Sequence, residues 1–334
     1  MLRSGSLLSA LVLCSRLAVA QPAVGITVFG TDQVSADQVR QQHTAALAEL
    51  LQLERADRAA FEQKRNALEL MLKGDRFSYV RVDLFRSYTD KVDFIIDVVE
   101  PRDAAKRLAY RTLVTRQFDD PQQLLAAWRD YSRESQQLFD AGEIKDMSCP
   151  VVHCTWSFHH PRLASFLLEF STKAPANAQA LTEILRTSDS ERQREAAAYV
   201  LAHAGLSNDA LVSALEPSID DPSSLVRNAG MRVLYYAVRA DSTLQIPLDK
   251  VVTALGFPSF TDRNKALVIL RSLSRDRFSE AQLRSALPIL LEILEKKDAH
   301  NYRNAHVVLK NLSGESFAED ETEKWVAWVR SAMR

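Results

Sequence analysis

The amino-acid sequence predicts an α+β domain at the N-terminus followed by an all-α solenoid of helical hairpins. Strand-like alternation of apolar and polar residues is confined to the first hundred residues. Glycine is scarce, with 9 residues in 334, which favours helices over sheet in the remainder. From residue 175 onwards, paired amphipathic helices recur at spacings of 33, 36 and 39 residues, as expected for a helical repeat array.

Composition limits the kinds of partner that the chain can have. The hydrophobic share of 46% and the charged share of 25% are typical of a folded protein, and the formal net charge is -1. No overall charge therefore drives the chain to nucleic acid or to an acidic membrane surface. After the first twenty residues no run of eighteen apolar residues occurs, so we expect no transmembrane segment in the mature chain.

The first twenty residues predict a cleaved secretory signal. Residues 7–13 (LLSALVL) form a short apolar core behind a basic residue, and Ala18-Val19-Ala20 has the small-x-small spacing that signal peptidase recognises. Cys14 follows a leucine, whereas lipoprotein processing requires a small residue before the cysteine. The sequence therefore favours cleavage after Ala20 over a lipoprotein anchor, and it predicts a periplasmic or secreted protein.

Residues 21–101 are predicted to fold as a small α+β domain. Alternating apolar and charged residues in Phe77–Phe85 and the β-branched run in Val92–Val99 indicate two strands, and residues 24–30 (VGITVFG) indicate an earlier one. Apolar residues at helical spacing predict two helices within residues 35–72. The expected order of elements is therefore strand, helix, helix, strand, strand.

That order, together with the pieces VFG, FSYVRVDLF and VDFIIDVVEP, resembles a POTRA domain over about residues 24–101. The resemblance implies that the domain binds partner chains by adding a strand to an open edge of its sheet. POTRA domains usually occur in several copies, whereas this chain carries one. A small α+β domain with another purpose is the alternative, because a fold of this size serves many functions.

A connector, residues 102–174, follows the α+β domain. A helix is predicted from Pro121 to about Phe139, and a cysteine- and histidine-rich segment comes after it. The candidate residues of that segment are Cys149, His153, Cys154, His159 and His160. The sequence favours a disulfide between the two cysteines because an exported chain with two mature cysteines suits one. Zinc held by thiolates and histidines is the second interpretation, and a redox-active pair is the third, although the spacing is not C-x-x-C.

Four segments of residues 175–334 align as the second helices of repeats. They are REAAAYVL from Arg194, RNAGMRVL from Arg227, RNKALVIL from Arg263 and YRNAHVVL from Tyr302, the last slipped by one position. This pattern resembles bacterial HEAT-repeat proteins, and the tail LKNLSGESFAEDETEKWVAWV resembles the end of such arrays. The resemblance implies a HEAT-like solenoid in which the two tail tryptophans, Trp325 and Trp328, seal the last hairpin.

The repeats place arginines and asparagines at equivalent positions, which line up as ladders in a solenoid. These residues are Arg194, Arg227, Arg263, Arg303, Asn228, Asn264 and Asn304. The interpretation that the sequence favours is structural: the side chains bond neighbouring turns or acidic residues. The other interpretation is a concave strip that binds an acidic or extended partner.

The sequence contains no nucleophile elbow, P-loop or zinc-protease motif, and we expect neither catalysis nor a cofactor. It predicts a non-enzymatic scaffold or adaptor of the periplasm or cell envelope, with protein partners that include envelope and outer-membrane proteins. Two alternatives stay open: a metal-binding or redox accessory protein built on residues 149–160, and a dedicated inhibitor of one partner enzyme. Near-zero net charge without interleaved aromatic residues argues against nucleic acid.

Overall fold

The computed structural model describes residues 24–86, 91–153, 155, 157–298 and 300–333. Within these residues the chain is mostly helical, with one small sheet near the N-terminus. The elements are β1 (Val24–Phe29), α1 (Ala36–Ala56), α2 (Arg58–Lys73), β2 (Tyr79–Arg86), β3 (Val92–Val99), α3 (Ala104–Arg107), α4 (Leu124–Asp140), α5 (Pro161–Thr187), α6 (Glu191–Val200), α7 (Asn208–Ile219), α8 (Ser224–Ala240), α9 (Leu248–Ala254), α10 (Phe260–Leu270), α11 (Glu280–Glu295), α12 (Tyr302–Ser313) and α13 (Thr322–Ala332). The predicted signal and its cleavage site lie outside the described residues.

The N-terminal sheet has three strands in the order β1-β3-β2. β3 is the central strand and pairs in parallel with β1 and antiparallel with β2. The observed order of elements agrees with the predicted one, strand, helix, helix, strand, strand. Ser35 caps α1 in a capping box with Gln38, a pairing that satisfies two backbone N–H groups at the start of the helix.

The two faces of the sheet bury different kinds of side chain, because successive residues of a strand point to opposite faces. Val82 and Phe94 lie in an apolar cluster under α1 and α2. The opposite face carries Phe29, Asp93 and Asp97, all of them buried. Phe29 belongs to the apolar core of the helical repeats. The sheet is therefore covered on one face by its own helices and on the other by the repeats.

The helices from α5 onwards form a two-layered solenoid. They pair as α5–α6, α7–α8, α9–α10 and α11–α12, and each second helix packs on the second helix of the next pair. The first layer contains α5, α7, α9 and α11, and the second layer contains α6, α8, α10 and α12. This arrangement confirms the predicted helical repeat array. None of the helices in the described residues is long and apolar enough to cross a membrane.

The helical stack starts earlier than the predicted boundary at residue 175. α5 begins at Pro161 and continues through Pro175 to Thr187. Pro161 occupies the first turn, where a missing N–H costs no intrahelical hydrogen bond. Pro175 lies in the helix interior, where proline usually ends a helix. Burial of Ala174 and Leu181 on either side stabilises the helix across that point.

The C-terminal end of the solenoid is sealed by aromatic residues. Trp325 of α13 is fully buried and donates from Nε1 to the carbonyl of Ala318 at 3.1 Å. Its ring meets those of His306 and Phe317 edge-on, with centroids 5.6 and 5.1 Å away. Trp328 lies 6.4 Å from it and is partly buried. The predicted role of the tail tryptophans agrees with this packing.

Candidate functional site

Buried ion pairs join each repeat to the next. Arg194 of α6 donates from Nε and Nη2 to the carboxylate of Asp221, at 2.9 Å in both bonds. Arg227 of α8 donates from the same two atoms to Asp262 at 3.0 and 2.7 Å. All four side chains are at most 4% exposed. Each arginine therefore reaches the aspartate at the turn of the following repeat, which is a structural ladder.

Arg263 of α10 extends the ladder and also connects the repeats to the sheet. Its Nε donates to Asp298 at 3.3 Å, and its Nη2 donates to Asp97 of β3 at 3.2 Å. The guanidinium lies 4.0 Å from the ring centroid of Phe29, within the range of a cation–π contact. Burial opposes the charged form, but Asp97 and Asp298 outweigh it and raise the pKa of Arg263.

The connector runs along the same edge of the solenoid as a segment without regular secondary structure. The N–H of Arg111 donates to the carbonyl of Asp220 at 2.8 Å, and its Nη2 donates to Asp221 at 2.8 Å. Further along, the N–H of Arg116 donates to the carbonyl of Thr187 at 2.9 Å. The ring of Tyr110 lies 4.4 Å from the guanidinium of Arg227. The ladder is therefore enclosed between the repeat turns, the connector and the sheet.

The repeat arginines and asparagines that the sequence places at equivalent positions fall into two groups in the structure. Arg194, Arg227 and Arg263 are buried in ion pairs within the chain, so the structural interpretation describes them and the binding interpretation does not. Asn264 is also buried and accepts a hydrogen bond from Lys265 at 3.1 Å. The remaining members are partly or fully exposed on second helices: Asn228, Arg303 and Asn304. Arg303 falls outside the ladder because its segment is slipped by one position.

The outer surface of α8, α10 and α12, named here the second-helix face, is held together by side-chain bonds between repeats. Arg271, at the end of α10, donates to Asn304 of α12 at 2.7 Å and to the hydroxyl of Tyr235 on α8 at 3.4 Å. Asn311 donates to the carbonyl of Arg271 at 2.9 Å. Three successive repeats therefore present one continuous polar surface.

Six cationic side chains lie on the second-helix face, and they are named here the cationic strip. They are Arg232, Arg239, Lys265, Arg271, Arg303 and Lys310. Burial and the charge of Arg232 together lower the pKa of Lys265 to about 7. Burial and then the charge of Lys265 lower the pKa of His300, just ahead of α12, to about 4. Positive charge on this face is therefore poorly compensated.

The cysteine- and histidine-rich segment contributes one histidine to the core. His153 is fully buried, and its Nε2 lies 2.8 Å from Nε2 of His203, at the end of α6. One of the two nitrogens donates the shared proton and the other accepts it. Burial lowers the pKa of His203 to about 4, and burial with the charge of His203 and Arg232 lowers the pKa of His153. The pair is enclosed by aromatic rings, among them Trp128 and Phe158.

The other histidines of that segment have separate partners. Nε2 of His159 lies 2.9 Å from the hydroxyl of Ser148, and His160 caps α5 through Nδ1. No group of three or more metal-ligating side chains exists within the part of the chain that the structure describes. Cys154 lies outside that part, so the pairing of Cys149 with Cys154 and the zinc alternative that includes Cys154 stay predictions.

A cleft of about 510 Å³ opens where β1 ends. Its walls are the turn after β1, the turn after β3 and helix α11. The N–H of Gly30 donates to Glu292 of α11 at 2.8 Å, and Thr31 donates to Glu100 at 2.7 Å. The exposed side chain of Asp32 pairs with Lys296 at the rim. The cleft therefore lies on the first-helix side of the solenoid, where the sheet meets the repeats.

Comparisons with known proteins give little beyond this geometry. No protein-family model and no curated protein matches the chain. Among solved structures, the chain is similar to a designed armadillo repeat protein in complex with the peptide (KR)4, at 15% sequence identity and a TM-score of 0.26. That match covers 63% of this chain and 99% of the designed protein. A likeness this weak carries no argument, and the solenoid rests on the helix contacts described above.

Sequence reasoning missed two features of the sites. The first is the pairing of His153 with His203, because no local pattern links residues that are 50 apart in the chain. The cationic strip was also missed, although the signal was present: α8 and α12 contain no acidic residue, and the single one of α10 is Asp262. The packing of α8, α10 and α12 in the folded chain is needed to see that their unpaired cations lie on one face.

Proposed function

We propose that this chain is an exported, non-enzymatic scaffold that holds two protein partners, one at the edge of the N-terminal sheet and one on the helical repeats. Helical repeats with an outer face, together with a sheet that has β1 as an edge strand, support a protein-binding role. The observation that carries the proposal is the position of the two surfaces. The cleft at the end of β1 faces α11 of the first layer, whereas the second-helix face belongs to the other layer.

Strand addition is assigned to β1 because the other edge of the sheet is blocked. At β2, the N–H of Val82 donates to Oε1 of Glu69 at 2.9 Å, so a side chain from α2 already takes the place of an added strand. The residues of β1 pair with β3 alone in the described part of the sheet. An extended segment paired with β1 would continue into the cleft. The POTRA-like order of elements supports the same mode of binding.

Photo-crosslinking in the native host tests this assignment. A photoreactive residue at Gln33, an exposed position on the cleft wall, is compared with one at Gln52, an exposed position on α1. We expect a protein adduct of discrete mass at Gln33 and none at Gln52. Equal adducts at both positions, or none at Gln33 in cells that express the protein normally, would contradict a partner at β1.

Export and the disulfide are part of the same proposal. An oxidising compartment suits a bridge between Cys149 and Cys154, which would close the loop that carries His153 into the core. Mass spectrometry of the mature protein, alkylated with and without prior reduction, tests both points. We expect a chain that begins at Gln21 and takes up alkyl groups only after reduction. Stoichiometric zinc with freely alkylated cysteines would instead favour the metal-binding alternative.

A further inference from the structure

We propose that the second-helix face binds an extended, acidic segment of a partner protein along the cationic strip. This inference rests on the proposal that the helical repeats hold a partner, and it names the chemistry of that partner.

The strip is a local excess of charge on a chain that is close to neutral overall. The formal net charge is -1, and the six strip side chains are all cationic. The ladder arginines Arg194, Arg227 and Arg263 each pair with an aspartate. Among the described residues, none of the six strip side chains forms an ion pair. The ladder is thus neutralised inside the chain, whereas the strip has room for an external anion.

The centre of the strip shows the consequence of that missing counter-charge. Nε of Arg232 is buried and has no hydrogen-bond partner among the described residues, which costs free energy that a bonded acceptor would recover. The low pKa of Lys265 has the same origin, burial beside an uncompensated cation. Its ammonium has an amide oxygen, that of Asn264, as its bonding partner at 3.1 Å. A carboxylate near the outer ends of these two side chains would offset their charge.

The dimensions of the strip fit an extended chain. Packed helices lie about 8–10 Å apart, so three second helices span about 20 Å. An extended peptide rises about 3.3 Å per residue, and about six residues cover that distance. Carboxylates about three residues apart would therefore meet successive helices. Tyr235, Asn304 and Asn311 lie beside the cations and can bond the peptide backbone between them.

Binding of fluorescein-labelled deca-glutamate to the full-length mature protein, followed by fluorescence anisotropy at low ionic strength, tests the inference. The strip variant is R239Q/R303Q, and the matched control is R186Q/R284Q, which removes the same charge from exposed positions on α5 and α11. All four arginines lack an ion pair in the described part of the chain, so both variants should fold. We expect the strip variant to raise the Kd about tenfold, which corresponds to about 1.4 kcal/mol, and the control to change it less than twofold.

Four results would overturn the inference. One is an equal loss of affinity in both variants, which indicates attraction to overall charge. Another is no binding of deca-glutamate by the unaltered protein. A third is equal or tighter binding of deca-lysine, and the fourth is tighter binding of a single-stranded oligonucleotide of the same charge. The Gln33 crosslink fails or succeeds independently of these measurements, so failure at β1 and failure on the second-helix face are distinguishable.

Discussion

The solenoid carries two rows of cations that differ in almost every physical respect. Along the turn edge, Arg194, Arg227 and Arg263 are buried, paired with aspartates and covered by the connector and the sheet. On the second-helix face, Arg239 of α8 and Arg303 of α12 are exposed and form no ion pair within the described chain. The buried row stabilises the fold through ion pairs, whereas the exposed row presents positive charge to the solvent. Repeat position alone therefore does not tell a buried, paired arginine from an exposed one.

We expect the largest loss of stability from a substitution of Arg263, which joins the helical repeats to the sheet. R263M removes the bonded cation of two buried carboxylates: Asp97 keeps only the more distant Arg107, at 3.8 Å, and Asp298 keeps only hydrogen bonds from uncharged groups. Breaking a buried ion pair in this way costs about 3–5 kcal/mol. R303M, on the exposed face of the next repeat, should change the free energy of unfolding by no more than about 0.5 kcal/mol. Urea denaturation monitored by circular dichroism measures both. Similar effects in the two variants would show that the buried and exposed rows are not energetically distinct.

A second comparison uses two glycines with left-handed backbone geometry. Gly30 has a φ of 86° beside the cleft, and an added Cβ would lie 1.9 Å from Nη1 of Arg107 and 2.3 Å from the carbonyl oxygen of Val98. Gly142, with a φ of 69°, has nothing within 4 Å of the same position. We expect G142A to cost about 1 kcal/mol from backbone strain alone. G30A should cost about 1–3 kcal/mol more, because overpacking at the junction adds to the strain.

Thermal or urea denaturation of both glycine variants measures this difference. Gly30 lies where the sheet meets α11, so G30A should also expose the cleft to proteolysis at lower protease concentrations than G142A does. Equal stabilities would mean that the sheet moves away from the repeats at little cost. The sheet would then be a separately mobile domain, in contrast to the packing described above.

The histidine pair predicts loss of stability in acid. Both rings are neutral in the folded chain, and the pKa of His203 falls from 6.5 to about 4. The unfolded chain therefore binds an extra proton between pH 6.5 and pH 4. Because His203 is neutral in both states above pH 6.5, it costs the folded chain nothing there. As the pH falls from 6.5 towards 4, the free energy of unfolding decreases by about 3 kcal/mol. The free energy of unfolding measured by urea titration across this range tests the direction.

The matched control for the acid effect is H203F, which keeps an aromatic ring in the same aromatic surroundings without a titrating group. The slope of stability against pH between 6.5 and 4 should become shallower in this variant. His300, whose pKa is also about 4, would account for part of the remaining slope. An unchanged slope in H203F would show that the buried pair does not control the acid response.

The sequence carried enough local information for the order of elements but not for their docking. Alternating apolar and charged residues in Phe77–Phe85 indicated one strand, and the β-branched run in Val92–Val99 indicated another. Both signals are local, and both were correct. The bond between Arg263 and Asp97 joins residues 166 apart, and no periodicity reports such a distance. For the same reason the sequence did not show that the sheet covers the arginine ladder.

The smallest expected effect is a proton taken up when an anion reaches the cationic strip. Lys265 faces Arg232 on α8 and His300 ahead of α12, and its pKa of about 7 leaves it mostly neutral at pH 8. A bound carboxylate favours the charged ammonium and raises that pKa, by about one unit for a nearby charge. Binding of deca-glutamate at pH 8 should then take up about 0.4 protons per complex.

Isothermal titration calorimetry in buffers of different ionisation enthalpy measures that uptake. His300 has too low a pKa to titrate at pH 8, so the signal belongs to Lys265. K265M should abolish the uptake, whereas R239Q should weaken binding and leave the proton count unchanged. Proton uptake that persists in K265M would mean that the bound anion lies away from the centre of the cationic strip. Its absence in the unaltered protein would mean that the acidic segment contacts only the exposed arginines at the rim.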